Sequence, residues 1–169
     1  LIIGGINYLA LDRLQGNTQQ FAGTLMPGLG VVINGDRDLY QALSAQQEYL
    51  LVQGKGEKAA AFKQDFNENV QQAKERMEKF IGMMAVYPEV TQQLDAFPTL
   101  FQQWQTQAAQ VFVLTDQGQY DEALRLHAQL EEKFSALREQ YNKAGELDEE
   151  LAGDLRLASD QMADNSQSW

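Results

Sequence analysis

Apolar residues recur every three or four positions along almost the whole chain, and only a few glycines and prolines interrupt them. Such spacing places apolar side chains on one face of an α-helix. The main interruptions fall at residues 53–56, at Tyr87-Pro88 and at residues 116–119, where glycine or proline ends a helix. Runs of β-branched residues, which would favour strands, are nearly absent. The pattern therefore predicts an all-α fold of four helices joined by short turns.

The four predicted helices differ in length. The first runs from about Ile6 to Val52 and the last from about Tyr120 to Asn165. The second runs from about Glu57 to Val86 and the third from about Pro88 to Asp116. At 1.5 Å per residue the outer helices are about 70 Å long and the middle pair about 45 Å. Short turns make neighbours antiparallel, so we predict an up-down-up-down four-helix bundle with long first and last helices and a shorter middle pair.

Two prolines lie inside the predicted helices. Pro27, followed by Gly28, should bend the first helix or loosen one of its turns. Pro98 should kink the third helix or make it restart, because proline cannot donate the backbone hydrogen bond of a helix interior.

The long helices extend past the middle pair at residues 1–25 and 147–169. Two helices cannot bury two apolar stripes alone, so a second copy related by a two-fold axis is expected to close this part. The chain starts with the apolar run 1–6, and Trp169 suits a membrane interface. We therefore expect a single domain, 1–169, that lies between two membrane spans; the alternative is an arbitrary boundary beside an ordinary hydrophobic start.

Composition excludes several classes of function. The formal charge of −11 disfavours nucleic-acid binding, and a chain with no cysteine has no thiol chemistry and no cysteine-ligated metal. His127 is the single histidine, and its place on an apolar stripe favours a packed side chain over a ligand. There is no glycine-rich phosphate loop and no set of catalytic groups. The sequence thus predicts a protein that is not an enzyme and uses no cofactor or metal.

A charged segment lies on the apolar stripe of the first helix. Asp36 occupies a stripe position between Val32 and Leu39, with Arg37 and Tyr40 beside it. A carboxylate on a buried stripe is costly unless it is paired or hydrated. Asp36 therefore either fixes the register of the helices or belongs to a binding site.

Other cations and aromatic residues share this depth in the bundle. Counted down from the turns at equal rise per residue, the layer of Arg37 contains Lys74, Arg76, Phe101, Trp104, Arg138 and Tyr141. An anionic group between the helices would find arginine donors and aromatic walls there; alternatively, the aromatic residues are core and the cations are surface. The candidate ligand-binding residues are Arg37, Asp36, Tyr40, Trp104, Arg138 and Tyr141.

The segment Gly-Asp-Arg-Asp-Leu-Tyr-Gln-Ala at residues 35–42 resembles the first ectodomain helix of bacterial methyl-accepting chemotaxis receptors. The resemblance is best over residues 29–51, and a weaker one lies at residues 118–126, where Gly-x-Tyr-x-x-Ala begins the last helix. It implies a periplasmic homodimer, anchored in the bacterial inner membrane by flanking segments. It also implies sensing of a small anionic or amino-acid ligand, directly or through a periplasmic binding protein.

The resemblance further implies how the signal is passed on. The last helix of such receptors shifts like a piston toward a cytoplasmic signalling region. In aspartate-type receptors, arginines of the first helix bind the ligand carboxylate at the dimer interface, and Arg37 is the plausible counterpart here. The alternative interpretation is a structural or interaction module, or a sensor-kinase ectodomain, with no direct small-molecule ligand. Sensing requires a defined site around Arg37, whereas a spacer requires none.

Overall fold

The computed structural model of the protein describes residues 15–168, so the expectations for residues 1–14 and for Trp169 lie outside the described part. The described chain is helical throughout, apart from its turns. Residues 15–20 and a π-helical turn, Phe21–Leu25, continue into the first long helix. The elements that follow are α1 (Met26–Leu51), α2 (Ala59–Met83), α3 (Pro88–Thr91), a 3₁₀ turn (Gln92–Leu94), α4 (Phe97–Asp116), α5 (Tyr120–Gln129) and α6 (Glu131–Gln167).

These elements form four helices packed antiparallel, with the first and last the longest, as the sequence predicts. Gly54 and Gly118 lie at the turns with φ of 67° and 76°, in the left-handed region that glycine adopts without strain. Gln53 shares this conformation at φ 54°. Both predicted glycine turns are therefore confirmed.

The two internal prolines act as predicted. Pro27 has no N–H to donate, and the turn before it is loosened, since Met26 N–H donates to Phe21 O, five residues back. Pro98 lies in the first turn of α4, where its missing N–H costs nothing. The third helix thus restarts at Phe97 after the short α3 and the 3₁₀ turn.

The last helix has an interruption that the sequence does not predict. The sequence pattern predicts one helix from about Tyr120 to Asn165, but Leu130 separates α5 from α6. Leu130 N–H is shared between Leu126 O at 3.0 Å and His127 O at 3.3 Å, which tightens this turn toward 3₁₀ geometry. No glycine or proline marks the place.

The interior is richest in aromatic side chains near the middle of the bundle. Phe101, Trp104 and Tyr141 are at most 2% exposed. The apolar residues that recur every three or four positions along the third helix are all buried: Val90, Leu94, Phe97, Phe101, Trp104, Ala108 and Val111. Tyr141 fits because its neighbour on α1 is Gly35: a Cβ there would lie 2.7 Å from Tyr141 Cε1. Within residues 15–168 no helix is long and apolar enough to cross a membrane.

Candidate functional site

A cavity of about 400 Å³ lies between α1, α4, α5 and the start of α6. We call it the central pocket. It lies where α5 passes into α6, so the unpredicted interruption at Leu130 forms part of its wall. Its lining residues are Tyr40, Leu43, Gln46, Gln47, Trp104, His127, Ala128, Leu130, Glu131, Phe134, Ser135 and Arg138.

One wall of the central pocket is aromatic. The ring centroids of Tyr40 and Phe134 are 5.6 Å apart, and those of Trp104 and Phe134 are 5.9 Å apart. Trp104 is 2% exposed, whereas Tyr40 is 43% exposed. The wall therefore runs from the core of the bundle to its surface.

Arg138 on α6 provides the fixed cation of the pocket. Its Nε lies 3.1 Å from Asp36 Oδ1 and its Nη2 lies 3.2 Å from Asp36 Oδ2, which is the two-pronged geometry of a guanidinium on a carboxylate. The guanidinium carbon is 4.2 Å from the centroid of the Tyr40 ring, within the range of a cation–π contact. The hydrogen bond to Asp36 raises the pKa of Arg138, so the side chain stays charged.

His127 forms the other polar end of the pocket, and its tautomer follows from its neighbours. Gln46 Nε2 donates to Ala108 O at 2.8 Å, and a carbonyl can only accept. Gln46 Oε1 must then face His127 Nδ1, which is 3.0 Å away. Burial lowers the pKa of His127, so the ring is neutral at pH 7. Nδ1 carries the proton, and Nε2 is a hydrogen-bond acceptor.

Three of the six candidate residues, Tyr40, Trp104 and Arg138, thus line one pocket, and Asp36 orients Arg138 from α1. Tyr141 lies elsewhere, in the core. It is 1% exposed, and its hydroxyl donates to Ala73 O at 2.6 Å. Burial, with Asp36 and Asp38 nearby, raises the pKa of Tyr141, so it remains a neutral donor.

Arg37 does not line the central pocket. Its side chain is 57% exposed, and Nη2 lies 3.6 Å from Asp38 Oδ1. Asp38 itself is 1% exposed, and Arg76 Nε lies 2.6 Å from its Oδ2. The two groups form an ion pair, but the angles at these atoms do not fit a hydrogen bond. The most deeply buried carboxylate of this segment is therefore Asp38, whereas the side chain of Asp36 is 25% exposed.

Gln46 and Asp38 are not among the candidate site residues predicted from the sequence, and the sequence pattern favours a packed side chain for His127. The available signal was the spacing of polar residues among apolar or small ones. Gln46 and His127 each occupy an apolar stripe, and Asp38 lies three residues after Gly35 and four before Ala42, on a face of small residues.

A second line of exposed residues follows the outside of α1. Met26, Ile33, Tyr40 and Leu51 are 59%, 59%, 43% and 81% exposed. With the exposed positions between them they keep a spacing of four and three residues, as in a heptad repeat. We call this set the outer stripe; it comprises Met26, Gly30, Ile33, Arg37, Tyr40, Ser44, Gln47 and Leu51.

Residues 1–163 match the sequence model of a protein family described as a four helix bundle sensory module for signal transduction. The chain belongs to this family. The family comprises sensory modules of the methyl-accepting chemotaxis type, so the chain is a signalling domain rather than an enzyme. Comparisons with curated proteins and with solved structures gave no match.

Proposed function

We propose that the module senses a small molecule bound in the central pocket, as the extracytoplasmic domain of a chemotaxis receptor. Residues 1–169 form the single sensor domain. The observation that carries this proposal is the position of Arg138, which lies on α6, lines the pocket and is held by Asp36 of α1. A ligand there touches the first and the last helix at once.

The signal is a displacement of α6 relative to α1. A ligand that binds one relative position of the two helices better than another shifts their equilibrium by that difference in affinity. Arg138, held by Asp36 and lying over Tyr40, is the contact whose geometry depends on this position. Small shifts of packed helices are an established form of such switching.

The module acts as a homodimer joined along the outer stripe. Its residues repeat with heptad spacing, and a two-fold axis would place the same stripe of a second copy against it. Tyr40 belongs to both the stripe and the central pocket, so a ligand would also alter the dimer contact. Arg37 lies on the same stripe and would face the partner, where it can bind an anion in its own right.

The dimer proposal has a direct test, because the chain has no cysteine. Ser44→Cys places one thiol on the outer stripe, and Glu75→Cys places one on an exposed site of α2. In full-length receptor, oxidation should link Ser44→Cys protomers rapidly and Glu75→Cys protomers slowly. Equal rates would refute the outer stripe as the interface.

We also propose that flanking segments anchor the module in the bacterial inner membrane, with the domain in the periplasm; membership in the family supports this. The same exposed Glu75→Cys variant tests it in intact cells. A maleimide that cannot cross the inner membrane should label the thiol before lysis. Labelling only after lysis would place the domain in the cytoplasm.

The ligand proposal is tested by a thermal-shift screen with organic acids, amino acids and aromatic compounds. Arg138→Ala should abolish the shift of a true ligand, and Arg125→Ala, an exposed arginine on α5, should not. Saturation at a hundredfold excess over the dissociation constant adds about 2.7 kcal/mol of stability. If Arg37→Ala loses the ligand-induced thermal shift and Arg138→Ala keeps it, the ligand binds at the dimer interface instead. No shift with any compound would favour a periplasmic binding protein as partner, or a structural module or sensor-kinase ectodomain without a ligand.

A further inference from the structure

Arg138 and His127 both line the central pocket, and so do the three side chains of the aromatic wall. Resting on the function proposed above, we infer that its ligand is an elongated aromatic carboxylate that carries a hydrogen-bond donor, a hydroxyl or amino group, at the end away from the carboxylate. Each part of this description follows from one part of the pocket.

Arg138 determines where the carboxylate of the ligand binds. A guanidinium has five N–H donors, and Asp36 takes two of them. Among the described residues the other three have no hydrogen-bond partner. A ligand carboxylate can therefore bind the free edge of Arg138 while Asp36 keeps the side chain in place, and it does not have to break an existing ion pair.

The middle of the ligand faces the aromatic wall of Tyr40, Phe134 and Trp104. Their ring contacts of 5.6 Å and 5.9 Å are tilted or edge-on, the arrangement in which aromatic rings attract one another. A flat ring in the cavity extends this cluster, whereas a short aliphatic acid leaves the wall without contacts.

His127 determines which group the other end of the ligand carries. Its Nδ1 is committed to Gln46 Oε1, which leaves Nε2 as an acceptor that needs a donor. Glu131, one turn further along, also lines the pocket and adds negative charge. A second carboxylate at this end would meet an acceptor and a like charge, so dicarboxylates are disfavoured and a donor is favoured.

The two ends are well separated. His127 and Arg138 are eleven positions apart, with the tightened turn at Leu130 between them, and a helical rise of 1.5 Å per residue places their Cα atoms up to about 16 Å apart. The Arg138 side chain points back along the helix toward its N-terminus, like other helical side chains, and shortens this gap. A ligand with its charge and its donor on adjacent atoms reaches only one end.

The probes are para-hydroxyphenylpropionate, its methyl ether, unsubstituted phenylpropionate and adipate. Binding is measured by calorimetry and by the fluorescence of Trp104 in a Trp169→Phe background, since the chain has two tryptophans. We expect the hydroxy acid to bind at least about tenfold more tightly than its methyl ether, because the ether leaves the site's acceptor unpaired. Adipate should bind more weakly than either.

His127→Leu removes the acceptor and keeps a side chain of apolar character. It should bring the affinity ratio of the hydroxy acid to its ether close to one, which a merely unstable variant would not do. Arg138→Gln should weaken all the carboxylates and leave the primary amide of the hydroxy acid unaffected. An unchanged ratio in His127→Leu, or equal affinities in the wild type, would overturn the inference.

The inference and the proposed function fail in different ways. A dicarboxylate or an aliphatic acid that binds with loss in Arg138→Ala and a change in Trp104 fluorescence overturns only the ligand class. A ligand that is indifferent to Arg138→Ala and leaves Trp104 fluorescence unchanged overturns the pocket as the sensing site and the inference with it.

Discussion

The two halves of the bundle differ in what they enclose. In the half of the bundle that ends at the glycine turns, the Phe66 ring centroid lies 4.7 Å from that of Phe112 and 6.1 Å from that of Trp104, and all three side chains are at most 4% exposed. Toward the chain termini, Leu151 and Leu155 are only partly buried, and Leu157 is 60% exposed. We call these parts the turn half and the terminal half.

The difference shows where the stability of the isolated chain resides. Four helices surround the turn half, whereas the first and last helices continue with less cover in the terminal half. Regions with few buried apolar contacts open at lower free energy than the core. The terminal half is therefore the part of the chain that a partner helix would stabilise most, and the following predictions test this contrast.

The largest effect is expected for Trp104→Ala. Truncating a fully buried aromatic side chain leaves a cavity and costs about 3–5 kcal/mol of unfolding free energy. Leu157→Ala in the terminal half should change it by less than about 0.5 kcal/mol. Urea denaturation of both variants measures the contrast, and equal losses would show that the halves do not differ.

A charged side chain should dominate the pH dependence of the terminal half. Asp148 is 1% exposed, its Oδ2 has no hydrogen-bond partner within residues 15–168, and it abuts Gly28. Burial, and secondarily Glu149, raises the pKa of Asp148 to about 7. The unfolded chain ionises near pH 4 and the folded one only near pH 7, so stability should fall as the pH rises between these values and then level off.

Asp148→Asn should remove this fall and stabilise the protein at pH 8 by about 2–4 kcal/mol. At pH 4 the variant and the wild type should be nearly equal. Asp154→Asn, an exposed site on the same helix, serves as the control. Stability that falls equally steeply in Asp148→Asn would assign the pH dependence to another group.

Alanine substitutions at three glycines of α1 compare how tightly the helix is packed at three positions. Gly35→Ala brings Cβ to 2.7 Å from the rigid ring of Tyr141 and should cost about 1–3 kcal/mol. Gly28→Ala meets Asp148 Oδ2 at 2.8 Å and Met84 Cε at 3.1 Å, both ends of side chains that can move, so its cost should be smaller. Gly30→Ala meets nothing within 4 Å and should stabilise by about 0.5–1 kcal/mol. Thermal unfolding ranks the three, and any other order would contradict the packing described.

A small effect is expected at the boundary between the halves. The Asp36–Arg138 pair is about a quarter exposed on each side, so solvent screening limits its contribution to about 1 kcal/mol. A double-mutant cycle with Asp36→Asn and Arg138→Gln isolates the pair. A coupling of several kcal/mol would mean that the pair is buried by a partner in solution.

The sequence predicts the helices well because their ends depend on local backbone chemistry. Gly54, Gly118, Pro88 and Pro98 act within one turn, so a linear pattern contains the information. Leu130 has no such marker, and the tightened turn there depends on tertiary packing around the pocket.

The site was predictable only in part. Counting residues along antiparallel helices places Arg138 at the depth of Asp36, and the two are hydrogen-bonded. Which side chains of that layer point into the bundle depends on the rotation of each helix about its own axis. Two positions along an α-helix differ by about 200° around that axis, so residues two apart point to nearly opposite sides. Asp38 is therefore the buried carboxylate, and Arg37 faces outward.

The π-helical turn at Phe21–Leu25 has a consequence for rotation along the first helix. Asn17 and Phe21 contact Ser159 and Arg156 of α6, and Leu29 packs near Gly145 of the same helix. Three successive steps of four residues, from 17 to 29, would turn the contact face by about 120° in a regular α-helix. The extra residue of the π turn compensates for most of this rotation. The same face of the first helix therefore contacts α6 on both sides of the turn. The axial shift of α6 proposed above would then meet the same face of the first helix from Asn17 to Leu29, without either helix having to rotate.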